Sequence, residues 1–276
     1  MKFLTDLILD YSSKASPDRR PLATHLQNAR NAYDCRVGDS ASARVGFEGM
    51  VQAYNFIGKN KELFGLKDNF LRNLTGALLQ DYMLSLVYEQ LRPYPKLDVF
   101  TEAQVALGLY PLWAVGVVKF ETVSEQSDLA VGYLWDTTTK GVVTSPDPWP
   151  RPPRTSIPKG CTVLPLITIS SKIRVSKQEF FDWLGRSQLM GKGNPHCLNI
   201  EVGLRREMRI AIVEVAQVYE NFFLLGTGDE GKVVGYPKEL ERLLERIRDH
   251  LVQRMGAGGP ASEALEEDLG VEPEAN

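Results

Sequence analysis

Through the first ninety positions apolar residues recur at helical spacing. Four helices are predicted there: about 2–14, about 21–35 with Pro21 in its first turn, about 40–64, and about 67–91. The third carries Phe47, Val51, Tyr54 and Ile57 on one stripe. The fourth carries Phe70, Leu74, Ala77, Leu78, Met83, Leu84 and Val87, and Pro93 closes it. After Pro95 the period shortens. PLWAVGVVKFETV (111–123) and SDLAVGYLWD (127–136) read as two paired strands, and the proline-rich 145–160 reads as an exposed loop.

TVLPLITISSKIRV (162–175) is the clearest strand of the chain. A helix follows at 176–190, where Ser176 and Glu179 form a capping box. The segment 197–218 fits helix or strand and is read as helix, because EVGLRREM favours it. NFFLLG (221–226) is a short buried strand, and 237–255 is a final amphipathic helix. This order predicts an α/β (α+β mixed) fold, a central mixed sheet flanked by helices. A helical region, 1–95, packs on a core, 96–255, and an acidic tail follows at 256–276.

Charge changes the picture in one respect. The net charge is −3, but the tail contributes six acidic residues and no basic ones, so the preceding 255 residues carry +3. A mildly basic body is compatible with DNA. The tail, poor in apolar residues, is expected to be disordered. Asp6 and Asp10 interrupt what would be the core of a secretory signal, and no apolar run is long enough to span a bilayer. Three cysteines without CxxC spacing argue against a disulfide framework, so a reducing, cytoplasmic setting is expected, with no membrane partner. The glycine-rich loops GKGNP and GTGDEG lack the context for a nucleotide cofactor, and the three histidines share no motif.

The strand 162–175 holds the candidate chemistry. Alternation puts Ile167, Ile169, Ser171, Ile173 and Val175 on one face and Thr168, Ser170, Lys172 and Arg174 on the other. A lysine three residues before a helix suits either an edge strand with a solvated face or a reactive site.

A helix containing LTGALLQDYMLSLV comes first, then a hairpin whose second strand begins at Asp128. A strand ending in xxK and another helix complete the order. This order resembles the PD-(D/E)xK nuclease superfamily, and within it the type II restriction endonucleases, over residues 70–190. The resemblance implies a Mg2+-dependent endonuclease acting on double-stranded DNA, as a homodimer when the target is symmetric. By position, Asp128 is the metal aspartate and Lys172 the lysine that assists the attacking water. Ser170 stands where the family has an acid, which leaves Glu179 or Asp182 on the following helix to replace it. Glu179 also reads as half of the capping box. Gln80 or Asp81 occupies the place of a helix glutamate. Asp147, in a literal Pro-Asp, and Asp136 remain alternatives to Asp128. Arg174, Lys177, Arg186 and Lys192 around the site are candidate phosphate contacts. Arg205, Arg206 and Arg209 form a second cluster, read as one face of a recognition helix. The alternatives are a non-specific repair or defence nuclease, and a DNA-binding or scaffold protein of the same fold with a degenerate metal site.

Overall fold

The computed structural model describes residues 20–34, 40–63, 66, 68–114, 117–144, 152–206 and 220–256. The expected helix at 2–14, Asp147, Arg209 and the acidic tail beyond residue 256 lie outside the described residues.

Five helices and eight strands are described: α1 (Arg20–Asp34), α2 (Ser40–Lys59), α3 (Asp68–Gln90), β1 (Asp98–Ala114), β2 (Val117–Asp136), β3 (Gly141–Val143), β4 (Cys161–Val175), α4 (Lys177–Gly193), β5 (Leu198–Arg206), β6 (Phe222–Leu224), β7 (Gly226–Thr227), β8 (Val234–Gly235) and α5 (Pro237–Met255). Six strands form one mixed sheet in the order β3-β2-β1-β4-β5-β6, in which β2 also pairs with β4. β7 and β8 form a separate pair. β1 and β2 make a long antiparallel hairpin, and β2 runs antiparallel to β4. β4, β5 and β6 are mutually parallel.

The mixed α/β architecture agrees with the sequence, and two elements differ. The segments 111–123 and 127–136 are not partners. Residues 117–123 and 127–136 belong to the same strand, whose partner is 98–114. The polar run at Ser124–Ser127 looks like a turn, but it pairs with Ala103–Ala106 inside the ladder. The second difference is β5, read from sequence as helix. Its Leu198, Ile200, Val202 and Leu204 are buried at period two, and it pairs with β4 from Ile167↔Leu198 to Val175↔Arg206. Neighbouring strands satisfy its backbone, which outweighs the helical propensity of the Arg-rich end.

One apolar core unites the helices with one face of the sheet. Leu26, Phe47, Leu78 and Leu244 belong to the same cluster as Leu129, Ile167, Ile169 and Ile200. The opposite face is covered by α4. Met190 joins Val105 and Ala130 there, and Phe180 and Trp183 pack against Val175 and Phe222. Val175 therefore lies on the α4 side, not with Ile167 and Ile169, so strict alternation ends with the strand. Gly132 marks the closest approach of β2 to β4. A Cβ there would lie 2.1 Å from the Leu164 carbonyl oxygen, at the register shift between Val131 and Gly132.

Candidate functional site

Pairing alone brings the sequence-predicted residues together. Ala130 faces Thr168 in the antiparallel β2–β4 ladder, so Asp128, two residues earlier, lies on the same face as Ser170 and Lys172. The contacts agree. Asp128 Oδ2 accepts the Ser171 backbone N–H at 2.9 Å, and Lys172 Nζ stands 3.6 Å from the same oxygen. Both side chains keep some solvent access, at 25% for Asp128 and 34% for Lys172. This ion pair at the sheet surface contributes no more than about 1 kcal/mol to folding. Its position is explained better by chemistry than by stability.

The capping box at the start of α4 forms as read. Glu179 N donates to Ser176 Oγ at 3.2 Å, and Ser176 N donates to Glu179 Oε2 at 2.7 Å. One oxygen of the Glu179 carboxylate is thus committed to the cap. Asp182 is exposed on α4, in a shallow groove with Lys172, Glu179 and Arg186. Asp136 is bound to its own turn: its Oδ1 accepts the Thr138 and Thr139 amides at 2.7 and 3.3 Å. Those amides lower its pKa, and it pairs with Cys161 at the far end of β4 from Lys172.

A cleft of about 640 Å3 opens at the C-terminal end of β4, lined by Lys172 and Arg174 from β4, Arg72 from α3 and Arg205 from β5. Glu179 and Glu230 are the acidic residues in its wall. From α3 the cleft takes Leu71, Arg72, Thr75 and Gly76, more than a turn before Gln80 and Asp81. Arg72 was not singled out from sequence, where nothing local distinguishes it. Arg205 is not on a recognition-helix face. It is buried on a strand, and its Nε donates to Tyr54 Oη at 3.2 Å. Arg206 ends β5. Lys177 lies 5.9 Å from the Phe181 ring, and Lys192 is exposed in the last turn of α4.

One residue of the site escaped sequence reasoning altogether. Glu201 on β5 is the direct parallel partner of Ser170, so both side chains leave the sheet on the face that carries Asp128 and Lys172. The neighbouring rung confirms the facing, since Thr168 Oγ1 donates to Asn199 Oδ1 at 2.9 Å. Glu201 is fully buried, and neither carboxylate oxygen makes a hydrogen bond, nor does Ser170 Oγ. Burial pushes its carboxyl up to about 8. Nearby Ser170, Lys172 and Arg186 favour the ionised form without prevailing, and the Asp128 charge opposes it. Asp128, Ser170 and Arg186 line a recess of about 30 Å3 on this face, room for a water-sized occupant.

Among the described residues no three His, Cys, Asp or Glu side chains cluster into a preformed metal cage. Magnesium does not require one. It is typically held by one or two carboxylates with waters and substrate phosphate. Asp128, the recess beside it and the unsatisfied carboxylate oxygens of Glu201 suit a hard divalent cation. Cys197, across from Thr168 on this face, is a poor nucleophile, since burial pushes its thiol up to about 12. No helix among the described residues is long and apolar enough to cross a membrane.

No family profile and no curated protein sequence matches this chain. A solved structure does. The chain is similar to a chain of the native BbvCI A2B2 tetramer, with a TM-score of 0.57 at 9% identity, over 93% of this chain and 98% of that one. BbvCI is a restriction enzyme, and the shared architecture is a restriction-endonuclease-like fold.

Proposed function

We propose that this protein is a Mg2+-dependent endonuclease that hydrolyses phosphodiester bonds in double-stranded DNA at a specific sequence, as type II restriction enzymes do. The observation that carries the reading is the Asp128–Lys172 pair. A carboxylate and an ammonium 3.6 Å apart project from adjacent strands at the edge of a cleft with four cationic side chains. The fold shared with BbvCI supports it.

Each residue has a distinct task in this reading. Asp128, oriented by the Ser171 N–H, is the anionic ligand for the metal. The metal, when bound, neutralises the scissile phosphate and lowers the pKa of the attacking water. Lys172 places its ammonium where negative charge grows on the phosphoryl oxygens, an interaction stronger in the transition state than in the ground state. Arg72 and Arg174 dock the flanking phosphates, and that contact weakens as salt rises. Cutting both strands of a symmetric site calls for two such centres, hence a homodimer.

A second reading is a DNA-binding protein of the same fold with a degenerate centre. It is favoured by Ser170, which puts no carboxylate on β4. Digestion of phage DNA with and without Mg2+ tests both readings. Discrete fragments, lost in Lys172→Ala while DNA binding persists, are expected. A smear would point to a non-specific nuclease. DNA binding without cleavage under any divalent metal would favour the second reading.

A further inference from the structure

We propose that Glu201 is the second metal-ligating carboxylate of this centre, supplied from β5 in place of the acid that β4 lacks at Ser170. The inference rests on the nuclease reading of the site and adds to it a residue and a ligand set.

Position comes first. Ser170 and Glu201 are partners in the parallel ladder, one strand spacing of roughly 4.8 Å apart. A glutamate is one methylene longer than an aspartate, and the Ser170 hydroxyl is close enough to act on the Glu201 carboxyl. Ser170 also lines the recess next to Asp128. The ladder therefore sets Glu201 directly beside the position where a β4 acid would stand, next to the recess that Asp128 and Ser170 line.

Energetics come second. A carboxylate with both oxygens buried and unbonded costs several kcal/mol if ionised. A fold that needed only packing would meet that cost with well-aimed donors; here only the Ser170 hydroxyl stands close enough to bond the carboxyl, and it makes no well-formed hydrogen bond to either oxygen. Lys172 and Arg186 are close enough to act on the charge, but neither bonds the carboxylate. A buried carboxyl that makes no hydrogen bond, beside a second carboxylate, is an arrangement that a divalent cation completes by displacing its proton.

The other acids are less well placed. Glu179 already caps α4 through Oε2, and Asp182 is exposed on α4. Asp98, on the same face of β1, is held by Arg154, so Asp128 and Glu201 are the acids that flank Ser170 from the strands on either side.

The test measures metal binding to the whole protein without DNA. Mn2+ is titrated while free Mn2+ is followed by electron paramagnetic resonance, and melting temperature is recorded in parallel. Wild type should bind Mn2+ and gain stability. Loss of an outer-shell partner alone costs about 10–100-fold in metal affinity. Glu201→Gln, which removes a ligand, should therefore weaken Mn2+ binding at least about 10-fold, while without metal it is at least as stable as wild type, since the buried charge is gone. Asp128→Asn should weaken it comparably. The double variant Ser170→Glu/Glu201→Gln returns the carboxylate to β4 and should recover binding. Glu201→Asp, still acidic but shorter, should bind less tightly than wild type, and it serves should the Gln variant not fold. Wild-type Mn2+ affinity in Glu201→Gln, with loss in Asp128→Asn, overturns the assignment of Glu201 and leaves the nuclease reading intact. Absence of Mn2+ binding in wild type without DNA overturns the assignment of Glu201, while the nuclease reading stands or falls by the digestion with and without Mg2+.

Discussion

Replacing Glu201 with glutamine should alter how stability depends on pH in the absence of metal. The carboxyl is raised from 4.5 to about 8, chiefly by burial. A folded-state value above the unfolded one means that the native protein binds the proton more tightly, so stability falls as pH rises through that window. Below about pH 4.5 both states are protonated and the group contributes nothing. Above about 8 both are ionised and the full penalty is present. A difference of this size corresponds to about 5 kcal/mol at the upper end. For a chain of this length that is on the order of 10 °C in melting temperature. Glutamine keeps the shape and carries no charge. With EDTA present, the variant should therefore match wild type near about pH 4 and exceed it increasingly toward about pH 9, by as much as about 5 kcal/mol. Urea unfolding followed by circular dichroism across that range measures it. Parallel wild-type and variant curves would refute the reasoning, because they would mean that Glu201 ionises in the native state at no cost.

Three further outcomes are expected. Asp128→Asn removes a charged metal ligand and a negative charge facing the DNA. Turnover should drop by about 10²–10³-fold or more, while gel-shift affinity without metal stays equal or tightens; weaker binding with a lower melting temperature would make this aspartate structural. Glu179→Gln weakens the hydrogen bond from Ser176 N and should cost about 1 kcal/mol of stability, whereas Asp182→Asn should leave stability unchanged; a larger loss of cleavage than of stability in the Glu179 variant would give that residue a catalytic share. Gly203→Ala puts a Cβ 2.3 Å from Val175 Cγ2 beside the Lys172 rung, and thermal unfolding should show a loss of about 1–3 kcal/mol.

Local pattern was enough for the helices and for β4. The apolar stripes of α2, α3 and α5 and the capping box of α4 are written within a few turns of chain, and each appears where its spacing puts it. Asp128 and Lys172 were legible as a pair through the resemblance of the element order, with Asp136 and Asp147 as alternatives, and the structure sets the two 3.6 Å apart. Pairing register was not legible. Ser124–Ser127 has the polarity of a turn but sits inside a ladder, and only the long β1 partner decides that. Glu201 is the sharper case. Taken alone, NIEVGLRR reads as readily as helix, and a buried glutamate breaks the pattern of a core strand. What gives it meaning is a parallel neighbour some thirty residues earlier in the chain, which sets Glu201 beside Ser170, and a helix packed over both that excludes water. Periodicity along one segment is a short-range property and survives in the sequence. Which side chains meet across strands depends on register and on what covers the sheet, and only the tertiary structure decided those.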